Sequence, residues 1–294
     1  MRKEILLKSI SLPNNETLGY RECGEGERTF LLVHGNMTSS KHWDLLLDAM
    51  PENYKIYAVD LRGYGISTYN TPITYIKDLS DDLKLFVDAL NLKDFTLVGW
   101  SLGGCVSMQF VIDNPGYASK LILMDSGSTQ GFPLRKRSIF KTPTREMLKT
   151  KEEIEKLISP MLDALKNKNR FLLKFVCNKH LYNLNKPSKE KFEEYIDDIL
   201  TQRNLLDVDY ALAYFNISYE SNGVIEGNRG VGKINIPTLI IHGDNDKIVH
   251  VSKAKRTKEL IGDNAKLVIL ENCGHSPLVD KLEDVVKLFI EFIE

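Results

Sequence analysis

The sequence predicts an α/β fold: a mostly parallel sheet flanked by helices, with an inserted helical cap late in the chain. Three observations carry this. Apolar runs of strand length, at residues 29–34, 95–99 and 238–242, alternate with stretches of helical spacing. Such solid runs suit strands buried on both faces by covering helices. From about Ser126 to Lys233 the alternation stops and helix-like stretches dominate over a length too great for a loop. The expected division is a core of residues 1–126 and 234–294 around a cap of residues 127–233.

Residues 4–11 and 17–23 read as two short strands joined by the turn-rich Pro13-Asn14-Asn15, a hairpin at one sheet edge. The strand at 29–34 closes in His34-Gly35-Asn36-Met37. Gly35 permits a sharp turn and leaves the Asn36 amide free to face a ligand, while His34 reads as an imidazole that braces the loop. A short amphipathic helix is expected over 43–50 and a strand over 55–60, where Asp60 and Arg62 pair and cap the following loop. Ile76, Leu79, Leu83 and Phe86 mark a helix over 76–91 that Asn91 ends, and 120–125 is a further buried strand.

The insertion carries helix-like stretches at 144–157, 158–168, 170–182, 188–203 and 205–215. Its basic start, Arg135, Lys136, Arg137, Lys141 and Arg145, reads as a solvated helix surface. Phe171, Phe175, Tyr195, Tyr210 and Tyr214 are candidates for an acyl pocket, though their helical spacing favours core packing. Gly227 to Lys233 fits G-x-x-x-x-G-K, but Ile234 stands where a phosphate-binding loop needs a hydroxyl, and a strand follows where that loop needs a helix. Nucleotide binding is rejected on that ground. A strand at 238–242, a helix at 251–261, a strand at 266–270 and a closing helix to Glu294 complete the sheet.

The chemistry concentrates at Gly99-Trp100-Ser101-Leu102-Gly103, a G-x-S-x-G nucleophile elbow between a strand and a helix. Small residues two positions either side of Ser101 are needed because the two backbones nearly touch. The turn holds the serine hydroxyl out at the C-terminal edge of the sheet. It also places the Leu102 amide at a helix N-terminus, where an oxyanion is stabilised. A serine hydroxyl is a poor nucleophile near neutral pH, so an imidazole must take its proton and a carboxylate must fix that imidazole. Acids and a histidine follow Ser101 after later strands, in the order Ser, Asp, His.

With these motifs the chain resembles the α/β-hydrolase superfamily, over about residues 18–125 and 235–294. The matching residues are His34-Gly35-Asn36, Asp60-x-Arg62-Gly63-x-Gly65-x-Ser67, Gly99-Trp100-Ser101-Leu102-Gly103-Gly104, Gly243-x-x-Asp246 and Gly274-His275. The resemblance implies Ser101 as nucleophile, His275 as general base and Asp246 as the orienting acid, with the amides of Asn36 and Leu102 as oxyanion hole. Asp125 and Asp244 remain alternatives for the acid. His42, His180 and His250 have no partner pattern and read as structural or surface residues. A serine at the elbow argues against the dehalogenases and epoxide hydrolases of this fold, which use aspartate there, and the lipase-type His-Gly-Gly-Gly loop is absent.

The expected activity is cleavage of a small ester, thioester or lactone through an acyl-enzyme, on a small-molecule acyl substrate, with no cofactor and no metal. A C–C bond hydrolase, an acyltransferase or a perhydrolase would use the same triad, and a non-enzymatic small-molecule binder is the rival of another kind. The formal net charge of -1 offers no field for nucleic acid or a membrane surface. Four scattered cysteines, Cys23, Cys105, Cys177 and Cys273, form no C-x-x-C pair. With no long apolar stretch and no cleavage site at the N-terminus, a cytoplasmic location is expected. Oligomeric state is not legible.

Overall fold

A computed structural model describes residues 4–138 and 142–294; Met1, Arg2 and Lys3 of the N-terminal reading and Lys141 of the basic stretch lie outside them. The strands are β1 (Leu6–Ser11), β2 (Thr17–Cys23), β3 (Arg28–Val33), β4 (Tyr54–Val59), β5 (Phe95–Trp100), β6 (Ala118–Met124), β7 (Arg135–Arg137), β8 (Pro143–Met147), β9 (Thr238–Gly243) and β10 (Ala265–Leu270). Eight of them form one sheet in the order β1-β2-β4-β3-β5-β6-β9-β10. β1 pairs antiparallel with β2, and β2 antiparallel with β4, while every other pairing is parallel. The parallel strands therefore all deliver their C-terminal ends to one edge.

Alternation along the strands builds two cores. Leu31 and Val33 of β3 face one side, with Leu97 and Leu123, against α2 (Ile76–Ala89), α3 (Leu102–Asp113) and α8 (Val251–Ile261). Phe30 and Leu32 face the other, with Val98 and Ile241, against α1 (Asp44–Ala49) and α10 (Leu282–Ile293). A single turn, α9 (Pro277–Asp280), precedes α10. β5 and β9 are buried along their whole length, which is why both read as continuous apolar runs.

Between β6 and β9 lie α4 (Lys151–Lys166), α5 (Arg170–Val176), α6 (Lys189–Ile199) and α7 (Leu205–Ala213). Here the sequence reading is corrected twice. The stretch read as the start of a helix at 144 is the strand β8, paired antiparallel with β7. The basic run is thus a strand and not a helix surface, and Lys136 is neutralised by Glu146 at 3.0 Å and Glu153 at 3.4 Å. The two helices expected at 144–157 and 158–168 are the single α4, which runs through Pro160. Proline cannot donate to the carbonyl four residues back, and the Ser159 hydroxyl donates to that Lys156 carbonyl instead, at 3.2 Å.

This segment meets the rest of the chain through a polar seam. The Tyr195 hydroxyl and Lys191 each reach Asp44 at 2.5 Å, and Asp198 takes His42 at 3.0 Å and Ser39 at 2.6 Å. The G-x-x-x-x-G-K loop packs against 216–218: the amides of Asn228, Arg229 and Val231 donate to Asn216, Ser218 and Ile217 carbonyls, so they are not open to a phosphate. Among the described residues no helix is long and apolar enough to cross a membrane.

Phe289 stacks on Phe30 at 5.8 Å between ring centroids, both fully enclosed, and ties α10 to the sheet centre. Phe289→Ala is expected to cost about 3–5 kcal/mol in urea unfolding.

Candidate active site

The elbow is built as its glycines require. Ser101 has φ 55 and ψ -118, a left-handed backbone that an L-residue adopts only under constraint. A Cβ on Gly99 would stand 2.4 Å from the Gly103 carbonyl oxygen, and one on Gly103 would stand 2.1 Å from that of Val33. Strand β5, helix α3 and the end of β3 thus touch through backbone alone. The Ser101 carbonyl accepts from the Gly104 and Gly127 amides at 3.0 and 2.9 Å, and its own amide donates to Met124.

From this turn the hydroxyl reaches His275, whose Nε2 lies 2.9 Å from Ser101 Oγ. His275 Nδ1 lies 2.7 Å from Asp246 Oδ2. A proton on Nδ1 donates to Asp246 and leaves Nε2 to accept from the serine, the tautomer that proton abstraction needs. The other Asp246 oxygen accepts from the Ile248 and Val249 amides at 2.7 and 2.9 Å. Burial alone would raise the Asp246 carboxyl; the charge and hydrogen bond of His275 and these two amides outweigh it and hold the group below its ordinary value.

Asp244 and Asp125 take other places. Asp244 is exposed and accepts from the Cys273 amide at 3.2 Å, so it shapes the loop that carries His275. Asp125 is fully buried and accepts from the Gly243 amide at 2.9 Å. The Trp100 indole fixes the His275 carbonyl at 2.9 Å, and Asp280 fixes the Gly274 amide at 2.8 Å.

The loop after β3 approaches from the other side: a Cβ on Gly35 would stand 3.1 Å from Ser101 Cβ. Leu61 donates its amide to His34 Nε2, so His34 Nδ1 carries the proton and donates to the Gly35 carbonyl at 2.8 Å. His34 braces the loop as expected. The Asn36 side-chain oxygen accepts from Tyr64, Gln202 and the Met37 amide, and its nitrogen donates to Asp209 at 3.2 Å. Burial pushes the Asp209 carboxyl up to about 7, against the pull of Asn36. Among the described residues the backbone amides of Asn36 and Leu102 donate to no protein acceptor. Leu102 is the first residue of α3, where the N–H has no partner within the helix.

A cavity of about 160 Å³ opens onto Ser101 and His275, walled by Gly35–Thr38 and Trp100 on one side. On the other stand Val176, Cys177, His180, Leu181 and Ile199. The five aromatic candidates are absent from that wall. Phe171 is 82% and Phe175 55% exposed, Tyr195 is buried against Asp44, and Tyr210 and Tyr214 pack beside α4. A π-turn at Cys177–Leu181 follows α5 and, with its extra residue per turn, rotates the chain so that His180 and Leu181 face inward. Regular helical spacing hides such a rotation.

One further reading changes. Arg62 pairs with Asp82, at 2.6 and 2.5 Å, and not with Asp60, which caps the Ser40 and Ile66 amides. His42 is structural, a buried partner of Asp198 that stacks on Tyr195 at 4.2 Å. No spacing in the sequence announces either pair, since the partners lie 20 and 156 residues apart. His250 is exposed and caps α8. All four cysteines are buried, and burial pushes the Cys105 and Cys177 thiols up to about 12. Asp125, His242 and Asp246 form the one cluster of metal-ligating types among the described residues. Within it His242 Nε2 is engaged with the Val249 carbonyl at 2.7 Å and Asp246 with His275.

The sequence profile of the alpha/beta hydrolase fold matches residues 28–282. The chain belongs to that family. It is 26% identical over 287 residues to 2-hydroxy-6-oxononadienedioate/2-hydroxy-6-oxononatrienedioate hydrolase 2 of Pseudomonas putida, across 94% of this chain and 91% of that protein. It is likewise 26% identical to the human monoacylglycerol lipase ABHD6, across 90% of this chain and 75% of that protein. Among solved structures, an esterase from Exiguobacterium antarcticum superposes with a TM-score of 0.73 at 20% identity, over 98% of this chain and 99% of that one, which shows the shared hydrolase fold.

Two outcomes follow. Gly103→Ala is expected to displace the elbow and slow fluorophosphonate labelling of Ser101 roughly 100-fold, measured by gel fluorescence. Burial, ahead of the opposing charge of Asp60, holds His34 below the usual histidine value. The unfolded chain therefore binds the extra proton first, and His34 contributes stability above about pH 6.5 that is lost as pH falls. Thermal scans should show wild type losing stability faster than His34→Gln between about pH 7.5 and 5.5.

Proposed function

We propose that the chain is a serine hydrolase that cleaves a small carboxylic ester, thioester or lactone through an acyl-enzyme. The observation that carries this reading is the continuous relay from Ser101 Oγ to His275 Nε2 at 2.9 Å and from Nδ1 to Asp246 at 2.7 Å. In it Ser101 attacks the carbonyl carbon as His275 takes the hydroxyl proton, and Asp246 stabilises the imidazolium. The Asn36 and Leu102 amides receive the oxyanion. His275 returns the proton to the leaving oxygen or sulfur, and a water, deprotonated by the same nitrogen, releases the acid.

Residues 127–233 serve as cap over a core of 1–126 and 234–294, and the cap wall of the cavity selects the acyl group. At about 160 Å³ the cavity falls below the ~300–1,000 Å³ of clefts that hold drug-sized ligands, which favours a short or slender acyl chain. The second reading is C–C bond hydrolysis at the same three residues, favoured by the near full-length match to the Pseudomonas putida hydrolase. A cytoplasmic enzyme without cofactor or metal remains our reading of the rest.

Steady-state hydrolysis of p-nitrophenyl esters of increasing chain length tests the proposal. Turnover should peak at short acyl chains and vanish in Ser101→Ala, and Asp246→Asn should lower kcat by about 10⁴. Loss of turnover in Asp125→Asn with full turnover in Asp246→Asn would move the acid to Asp125. Labelling of Ser101 with no ester turnover, joined to cleavage of a vinylogous diketone, would favour the second reading.

A further inference from the structure

Beneath the relay lies a carboxyl to which the mechanism above gives no part. Asp125 follows β6 with φ 38, and its amide donates to the Ile241 carbonyl of β9 at 2.9 Å. It is 0% exposed. Oδ1 accepts from the Gly243 amide, but Oδ2 has no partner. A second orphan stands beside it. His242 Nε2 faces the Val249 carbonyl and so carries the proton, which leaves Nδ1 a bare lone pair, unpartnered and 3.7 Å from Asp125 Oδ1. The ligating atoms of Asp125, His242 and Asp246 all lie within 4.8 Å of one another.

An ionised Asp125 would set a second negative charge beside Asp246 with a single N–H donor and no fixed cation. The titratable groups around it are Asp246 and His242 from β9 and its loop, Cys273 and His275 from the loop after β10, and Asp280 from α9. None but His275, which is one residue further out behind Asp246, can carry positive charge while His242 is held neutral by burial. A proton on Asp125 removes the repulsion and turns the orphaned oxygen into a donor that faces the Asp246 carboxylate, the two groups having oxygens within 4.8 Å of each other.

We propose that Asp125 is a neutral carboxylic acid whose O–H donates to Asp246, so that the pair holds one proton and one negative charge. Asp125 is then a positioning residue that sets the basicity of His275 through Asp246, and this deepens the triad reading on which it rests. Burial first, then the charge of Asp246, hold the Asp125 carboxyl well above the usual carboxylate range, in the same direction. No proton leaves the pair during turnover. Its donor draws charge from Asp246 and restrains the affinity of His275 for a proton.

The test follows the His275 ring by NMR in ¹³C-histidine-labelled full-length protein, with the signal identified by its loss in His275→Gln. Asp125→Asn keeps a donor without charge and should leave the His275 midpoint within about 0.3 unit of wild type, while Asp125→Val should raise it by about 0.5 unit or more. A fall of about one unit in Asp125→Asn would show that Asp125 was charged and overturn the proposal. No change in Asp125→Val would overturn it also. If the valine variant does not fold, the infrared carboxylic-acid C=O band of wild type, lost in Asp125→Asn, decides the matter, and its absence from wild type refutes the neutral acid. The titration needs no substrate, so turnover surviving in Ser101→Ala would refute the triad reading, while these spectra would still determine whether Asp125 carries its proton.

Discussion

The backbone contact between β5, α3 and the end of β3 is the constraint on which the rest of the molecule depends. Holding a serine at φ 55 costs on the order of 1–3 kcal/mol, and it persists only because neighbours over-determine it. Here Met124 anchors the serine amide while Gly104 and Gly127 anchor its carbonyl. The crossing is close enough that Gly99 and Gly103 admit no side chain. That closeness has a second effect. Because β3 ends against the elbow, the loop bearing Asn36 lies beside Ser101, and one contact therefore positions both Ser101 and a candidate oxyanion donor.

The electrostatics of the buried floor follow from scarcity of countercharge. Burial penalises every charged group below the elbow, and the chain answers by keeping most of them neutral. His34 and His242 are both held below the usual histidine value by burial, despite nearby carboxylates. Asp246 is the exception, held ionised by two amides and His275. A single well-satisfied carboxylate can orient an imidazole, whereas an unsatisfied one at that depth would cost several kcal/mol. Donor number, more than proximity alone, separates Asp246 from Asp125: three hydrogen bonds serve the first and one serves the second.

The central strands β3, β5 and β9 were legible because burial on both faces makes each read as an apolar run. Ser101, Asp246, His275, Asn36 and Leu102 were legible because each sits at a strand end marked by glycine within a recurring motif. The illegible features are those set by partners distant in sequence. Arg62 points away from Asp60 to Asp82 on α2, and His42 finds Asp198 on α6, choices that tertiary packing makes. The β7–β8 hairpin is short and largely exposed, so neither hydrophobic alternation nor burial marked it. The π-turn escaped because it breaks the very period by which helical faces are read.

These two kinds of feature divide the labour of the site. The groups around Ser101 come from strand ends that the sheet fixes, so their geometry is set by the sheet itself. The opposite wall comes from the π-turn and α6, which the sheet does not fix. Their position is set by the polar seam in which Asp44 and Asp198 hold Lys191, Tyr195 and His42. Buried charge pairs of this kind contribute little net stability but resist sliding, because a shifted register strands a carboxylate without its partner. The seam thus holds His180 and Leu181 at a fixed distance from Ser101 without any requirement on what those two residues are. Substitution at the wall can then reshape the cavity while leaving the relay at its hydrogen-bonding distances.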